Sequence, residues 1–313
     1  MFRLSAGFVI ALHEIPPARL AQLIESLRGR PVPLSELVDR KKAGKSTSGL
    51  FAITIDDGIG YNVRALSQLF QAKQWPATFY LPTEYLDTGR PMPFQLWMRL
   101  KPLLPRRNFK LSSGTLDLSR PGAIDEISRK IERMWYVGRR ESYLPFTMEL
   151  AAAVAREIEV PLTYLEGPAP ISWAEVTRLS RDSLFQFESH GVSHPAMSSL
   201  NEEEVVFEMQ RSRETIEEHT GRPCRHFCYP FGSPESIGSR MVPEVARRFY
   251  DSAVTMSRGS VENADLWLLP RIAFYPKTSV LTARTKVLLS SAGIHRPYAE
   301  EPSKAGLATI LKS

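Results

Sequence analysis

Two short segments of the chain contain the residue types that a hydrolytic metal site needs. Thr54-Ile55-Asp56-Asp57-Gly58 ends an apolar run, and Glu188-Ser189-His190-Gly191-Val192-Ser193-His194-Pro195 follows much later. Burying a carboxylate costs several kcal/mol unless a metal, a cation or hydrogen-bond donors lie beside it. Asp57, His190 and His194 could bind a metal that keeps a position open for water, with Asp56 as the base. Alternatively, Asp56 and Asp57 form a turn and the two histidines cap a helix.

The surrounding pattern indicates parallel strands alternating with helices. Residues 8–12, 51–55 and 77–81 are predicted strands, with helices over 17–27 and 60–74. Later strands are predicted over 184–187, 225–231, 252–255 and 268–274, and later helices begin at the Ser172–Glu175 capping box and at Asn201. The candidate residues therefore follow strands, at the end where α/β barrels place their sites.

The stretch between Asp87 and Pro170 is less regular. Prolines interrupt it, with helical stretches over 94–103 and 123–134. We interpret it as an insertion that packs over one end of the sheet, and we expect one helical segment at 280–289 followed by a polar tail.

Composition excludes several other classes of protein. The chain has 313 residues, of which 43% are hydrophobic and 24% charged, as in an ordinary soluble protein. Its net charge of +6 comes from basic residues that are scattered along the chain, and this distribution does not favour nucleic-acid binding. The positive charge is compatible with contact to an anionic glycan or a membrane surface. The two cysteines, Cys224 and Cys228, match no common zinc spacing and are interpreted as reduced.

No apolar run reaches the roughly 18–20 residues that a transmembrane helix requires. The start of the chain has a short apolar stretch but no small-residue cleavage site, so we expect a cytoplasmic location.

The motifs resemble those of the polysaccharide deacetylase family, also known as the NodB-homology domain or carbohydrate esterase family 4. The family's T-F-D-D-G motif is similar to residues 54–58, and its H-[ST]-x-x-H motif is similar to residues 190–194. Phe227-Cys228-Tyr229-Pro230-Phe231-Gly232 looks like the third motif of the branches that act on exopolysaccharides such as poly-N-acetylglucosamine.

This resemblance implies a distorted (β/α) barrel over residues 1–275, with a mainly helical insertion at 87–170 and a C-terminal helix and tail at 276–313. It implies a hydrolase that removes N-acetyl groups from an N-acetylated sugar, polysaccharide or precursor. Asp57, His190 and His194 would bind a divalent metal ion, most often Zn²⁺, although Co²⁺, Ni²⁺ or Fe²⁺ also suits these ligands. Asp56 would be the general base, and the backbone N–H of Phe231 would stabilise the oxyanion.

The sequence departs from the family pattern at three places. Gly191 replaces the serine or threonine of the second motif, and Cys228 replaces an arginine that holds the catalytic aspartate. Arg271 would then take over that role, as a later arginine does in similar branches. The family's late histidine is absent, so His13, in Leu12-His13-Glu14-Ile15, would be the general acid as in poly-N-acetylglucosamine deacetylases.

Two other functions remain open from the sequence. One is an amidase or deformylase of the same fold that acts on a non-polymeric or lipid-linked amino sugar. The other is a catalytically silent glycan-binding protein, in which the departures at Gly191 and Cys228 have dismantled the site.

Overall fold

The computed structural model describes residues 5–292. The strands are β1 (Phe8–Leu12), β2 (Arg30–Pro31), β3 (Leu50–Ile55), β4 (Ala77–Leu81), β5 (Asn108–Leu111), β6 (Gly114–Asp117), β7 (Phe185–Ser189), β8 (His226–Cys228), β9 (Ser252–Val254) and β10 (Arg271–Phe274). The helices are α1 (Pro17–Glu25), α2 (Leu34–Lys42), α3 (Gly60–Lys73), α4 (Thr83–Thr88), α5 (Pro93–Leu100), α6 (Ala123–Val137), α7 (Arg140–Glu157), α8 (Thr163–Glu166), α9 (Trp173–Leu179), α10 (Glu202–Thr220), α11 (Pro234–Ile237), α12 (Met241–Phe249) and α13 (Val280–Ser291). None of these helices is long and apolar enough to cross a lipid bilayer.

The main sheet is parallel and nearly closed on itself. Its strand order is β10-β1-β3-β4-β7-β8-β9, with β2 paired to the start of β3. The two ends of this order meet where Leu269, just before β10, donates to the Ala253 carbonyl and accepts from the Thr255 N–H. The result is a distorted barrel with helices packed around it.

Strand alternation divides the side chains between the outside and the inside of this barrel. On β1, Phe8 and Ile10 pack against the helices, whereas Val9 belongs to a separate apolar cluster with Ala52, Tyr80 and Cys228. The inward positions therefore run Val9–Ala11–His13 on the first strand and Ala52–Thr54–Asp56 on the third. This register points His13 and Asp56 towards the barrel interior at the carboxyl ends of their strands.

The segment between α4 and α9 has a hydrophobic core of its own. It contains α5 to α8 and the β5–β6 hairpin, which are packed around Trp97, Ile131, Trp135 and Leu150. The helix α7 was not identified from the sequence, and it includes Pro145, a residue that removes a helical hydrogen bond. The segment returns to the barrel beside the carboxyl end of β3, where Ile171 donates to the Gly58 carbonyl.

Some predicted boundaries were wrong. The strand predicted over 225–231 ends at Cys228, because Pro230 has no N–H and Phe231 and Gly232 have positive φ. In the segment predicted as a strand over 268–274, Leu268 ends a short 3₁₀ turn, Leu269 forms an isolated bridge with Val254, and β10 begins only at Arg271. The predicted tail beyond residue 292 lies outside the described residues.

Candidate metal centre and active site

Asp57, His190 and His194 form a compact buried cluster. One ligand atom from each lies within 4.8 Å of the others. The Asp57 Oδ1 atom is 3.6 Å from His190 Nε2 and 3.6 Å from His194 Nε2. These distances are too long for hydrogen bonds but leave room for an ion among the three atoms.

The hydrogen bond on the far side of His190 fixes which ring nitrogen can bind a metal. His190 Nδ1 lies 2.8 Å from the carbonyl oxygen of Cys228, which can only accept, so Nδ1 carries the proton. The lone pair of the neutral ring is then on Nε2 and faces Asp57. Such a partner on the second nitrogen is typical of metal-binding histidines.

The electrostatics of the cluster favour a positive charge at its centre. Burial, together with the neighbouring His190, lowers the pKa of His194 to about 3. At His190 burial also opposes the charged ring, but contacts with Cys228 and Asp57 outweigh it and raise the pKa. Although burial favours the neutral acid at Asp57, the histidines hold the pKa of this carboxyl below its usual value. The donor set therefore fits a divalent cation.

The backbone reaches these positions through strained conformations. Asp57, His194 and Phe231 have φ angles of 74°, 56° and 61°, in the left-handed region that residues with a Cβ seldom occupy. Only two other non-glycine residues of the described chain, Gln74 and Glu159, have positive φ. Strain of this kind is characteristic of functional sites. At Asp57 it turns a side chain that strand alternation would point outwards, so that adjacent Asp56 and Asp57 both face the interior.

Asp56 is held by a buried ion pair. Arg271 Nη1 and Nη2 each donate to one Asp56 oxygen at 2.7 Å, and both side chains are almost fully buried. Burial favours the neutral acid, but the guanidinium outweighs it and holds the pKa of Asp56 well below its usual value. Arg271 thus occupies the space beside Asp56, with Cys228 Sγ 3.1 Å from its Nη2 atom.

A second group of potential ligands is a poorer metal site. Asp56, His190 and Cys228 also lie close together. However, both Asp56 oxygens bind the Arg271 guanidinium, whose positive charge would repel a cation. Burial also raises the pKa of the Cys228 thiol, which disfavours the thiolate that binds metals.

His13 and Phe231 flank this centre. His13 Nε2 lies 3.8 Å from Asp56 Oδ2, and 39% of the His13 side chain is exposed. The His13 carbonyl accepts a 2.6 Å hydrogen bond from Asn62, which fixes the end of β1. Among the described residues the Phe231 N–H has no acceptor, and the Phe231 ring packs 4.8 Å from the His194 ring.

The segment between α4 and α9 forms a wall of the site. The Phe94 ring lies 5.9 Å from the His194 ring, and the Tyr136 ring lies 5.1 Å from the Phe231 ring. These aromatic rings cover one side of the cluster. Nothing in the sequence pattern linked this segment to the candidate metal ligands.

The fold and the motif region match known proteins. A family model described as polysaccharide deacetylase matches residues 43–248. The Streptococcus pyogenes deacetylase PplD in complex with acetate has a TM-score of 0.58 at 12% identity, covering 91% of this chain and 98% of that chain. The corresponding values for IcaB from Ammonifex degensii are 0.56, 14%, 90% and 97%.

A third solved structure with the same fold is the BpsB deacetylase domain from Bordetella bronchiseptica. Its TM-score is 0.55 at 15% identity, covering 86% of this chain and 96% of that chain. No curated protein sequence matches the chain. The structural matches confirm the predicted distorted (β/α) barrel.

Proposed function

The chain belongs to the polysaccharide deacetylase family, as its motifs predicted, and we propose that it is a metal-dependent hydrolase that removes N-acetyl groups from an N-acetylated glycan or its precursor. The observation that carries the proposal is the buried cluster of Asp57, His190 and His194. It lies at the carboxyl ends of the strands, beside a second carboxylate and a partly exposed histidine.

Asp57, His190 and His194 would hold a divalent ion, for which we favour Zn²⁺. One carboxylate and two imidazoles would supply three protein ligands, which is the number that catalytic zinc sites have. When bound, the ion supplies Lewis acidity, which activates water and polarises the amide carbonyl. The Cys228 carbonyl orients His190 for this role by accepting a hydrogen bond from the Nδ1–H of the histidine.

Asp56 would accept the proton of the attacking water. The ion pair with Arg271 keeps Asp56 ionised and fixes both of its oxygens, so the base needs no reorganisation before the reaction. The same ion pair makes Asp56 a weak base. The attacking water must therefore be more acidic than bulk water for its proton to move to Asp56.

His13 and Phe231 would complete the reaction. Collapse of the tetrahedral adduct requires a proton on the departing amine, and His13 is both close to Asp56 and open to solvent. The Phe231 N–H would donate to the oxyanion, a contact of the kind whose loss typically costs about 2.7–4 kcal/mol of transition-state stabilisation. The left-handed φ of Phe231, and the lack of an acceptor for its N–H within residues 5–292, suit this task.

The direct test is acetate release from N-acetylglucosamine oligomers. Wild-type protein stripped with a chelator should be inactive and should regain activity when Zn²⁺ or Co²⁺ is added. Formate release from N-formyl sugars, without acetate release, would indicate the deformylase alternative. Sugar binding with no product under any metal would contradict the proposal and favour a silent glycan-binding protein.

A further inference from the structure

The turn that joins the two candidate histidine ligands is held by a glutamate from another element. This turn consists of Gly191, Val192 and Ser193. Glu208 lies on α10, is 6% exposed, and points its carboxylate into the turn. Its Oε2 atom accepts from the Val192 N–H at 2.6 Å and from the Ser193 N–H at 3.0 Å, and its Oε1 atom accepts from the Ser193 hydroxyl at 2.7 Å.

The opposite side of the turn is fixed by α4. The Gly191 carbonyl accepts from the Thr83 N–H at 3.1 Å, and the Val192 carbonyl accepts from the Glu84 N–H at 3.0 Å. The Tyr85 hydroxyl donates to the Ser193 carbonyl at 3.1 Å. With Glu208 on one side and α4 on the other, the backbone between His190 and His194 has little freedom.

The glycine at position 191 is explained by the same carboxylate. Gly191 has a φ of 79°, and a Cβ atom there would lie 2.9 Å from Glu208 Oε2. A serine or threonine at this position, as the family pattern has, would therefore displace the glutamate. The turn thus has a buried carboxylate from α10 where the family pattern has a hydroxyl within the motif.

We propose that Glu208 is a positioning residue that holds His190 and His194 in the geometry required to bind the metal. This inference rests on the proposed function, because it assumes that the two histidines are metal ligands. Glu208 acts through the backbone of the turn and contacts neither ring. Without its acceptor atoms, the N–H groups of Val192 and Ser193 lose their partners, and the turn would rearrange to satisfy them.

The test compares two substitutions of Glu208 by their metal dissociation constants, measured by titrating Zn²⁺ into stripped protein. Glu208→Met removes the acceptors and should weaken binding by about tenfold or more, as loss of outer partners of metal ligands typically does. Glu208→Gln keeps one oxygen for the two N–H groups, and its amide can donate to the Ser193 hydroxyl. It should therefore bind Zn²⁺ nearly as tightly as wild type.

Glu262→Met is the matched control. Glu262 also accepts from a backbone N–H, that of Gly7, but at the opposite end of the barrel. This variant should lower the melting temperature of the metal-free protein without changing the dissociation constant. A purely structural role for Glu208 would give the same result for Glu208→Met, and that would overturn the proposal.

A second pair of variants perturbs the contact between the turn and Glu208 by changing the turn instead of the glutamate. Gly191→Ala should weaken Zn²⁺ binding because its methyl group displaces Glu208. Gly221→Ala introduces a methyl group at a φ of 65° with no atom within 4 Å, so it reproduces the backbone strain without that contact and should bind normally. Equal affinity in both variants would contradict the proposal. If wild type binds no metal, the proposed function itself fails.

Discussion

At the scale of single residues, the adjacent carboxylates Asp56 and Asp57 have different environments. Asp56 follows the inward register of its strand and is paired with Arg271, whereas Asp57 reaches the interior only because its backbone is left-handed. Asp56 is therefore paired with a guanidinium, whereas Asp57 faces two imidazoles. This division supports a base at position 56 and a metal ligand at position 57.

Replacing the proposed base should separate catalysis from metal binding. Asp56→Asn should lower kcat by about 10²–10⁴-fold, the typical contribution of a general base, and should leave Zn²⁺ affinity close to wild type. Acetate release and zinc titration on the same preparation check both effects. Retained turnover would refute the assignment of Asp56 as the base.

Replacing the proposed acid should produce a loss that depends on the leaving group. His13→Ala should strongly slow hydrolysis of N-acetyl sugars, whose amine needs a proton to depart. Hydrolysis of an activated aryl acetate, whose phenolate leaves unprotonated, should be affected much less. Equal losses for the two substrates would show that His13 is not the acid.

Removing Arg271 should destabilise the protein, because the free-energy cost of burying Asp56 is then no longer offset. Arg271→Met leaves a buried carboxylate without its cation, so we expect the free energy of unfolding at pH 7 to fall by about 3–5 kcal/mol. In wild type the pKa of Asp56 is depressed, so the stability from this pair is present above the unfolded-state pKa and is lost as the pH falls through the folded-state value.

In wild type, the stability that this pair contributes should therefore decline as the pH falls below about 4, near the unfolded-state pKa of aspartate, and the difference from Arg271→Met should be smaller there than at pH 7. Urea denaturation at several pH values measures it. Arg225→Met is the control, because Arg225 pairs with Asp39 and Asp251 at the surface and should contribute less than about 1 kcal/mol. Equal losses for the two variants would contradict this account.

At the scale of elements, strand alternation explains why the site could be anticipated from the sequence. His13, Asp56 and His190 occupy inward positions just beyond the carboxyl ends of their strands, and Arg271 pairs in register with inward Val9 at the start of β10. The convergence of these four side chains was therefore predictable once the strands were recognised.

The features that the sequence could not predict depend on contacts between distant elements. The sequence does not indicate a left-handed backbone at Asp57, apart from the glycine that follows it. The support of the histidine turn by Glu208 requires knowing where α10 packs. Likewise, the contact of Phe94 with His194 depends on the folding of an irregular segment whose strands and longest helix have weak periodicity.

A buried glutamate between two strands should make stability depend on pH. Glu188, on β7, accepts from the N–H groups of Arg225 and His226 at 2.7 Å each, at the entry to β8. Burial outweighs these bonds and raises the pKa of Glu188 to about 8. The folded state therefore binds more protons than the unfolded state between about pH 4.5 and pH 8, so stability should fall as the pH rises through this window.

Glu188→Gln removes the titration and keeps an acceptor for the two N–H groups. Its free energy of unfolding should decline less than that of wild type between pH 5 and pH 8.5, as measured by chemical denaturation. A parallel decline in both proteins would show that Glu188 is ionised in the folded state over the whole range.

At the scale of the whole molecule, the site joins parts of the chain that fold around different cores. The barrel supplies the three candidate ligands together with the Asp56–Arg271 pair, and the segment between α4 and α9 supplies the aromatic wall beside His194. An ion at this junction would bind the folded chain and not the unfolded one. Metal binding should therefore stabilise the entire protein by mass action.

The most direct measurement is the metal content of purified protein, by elemental analysis after incubation with Zn²⁺ and removal of the excess. We expect about one ion per chain in wild type and in His13→Ala, because His13 lies beside the site without being a proposed ligand. We expect none in Asp57→Ala or His190→Ala, and a melting temperature that rises with Zn²⁺ only in the first two proteins. A wild type without bound metal, or stoichiometric metal in Asp57→Ala, would show that Asp57, His190 and His194 do not form a metal site.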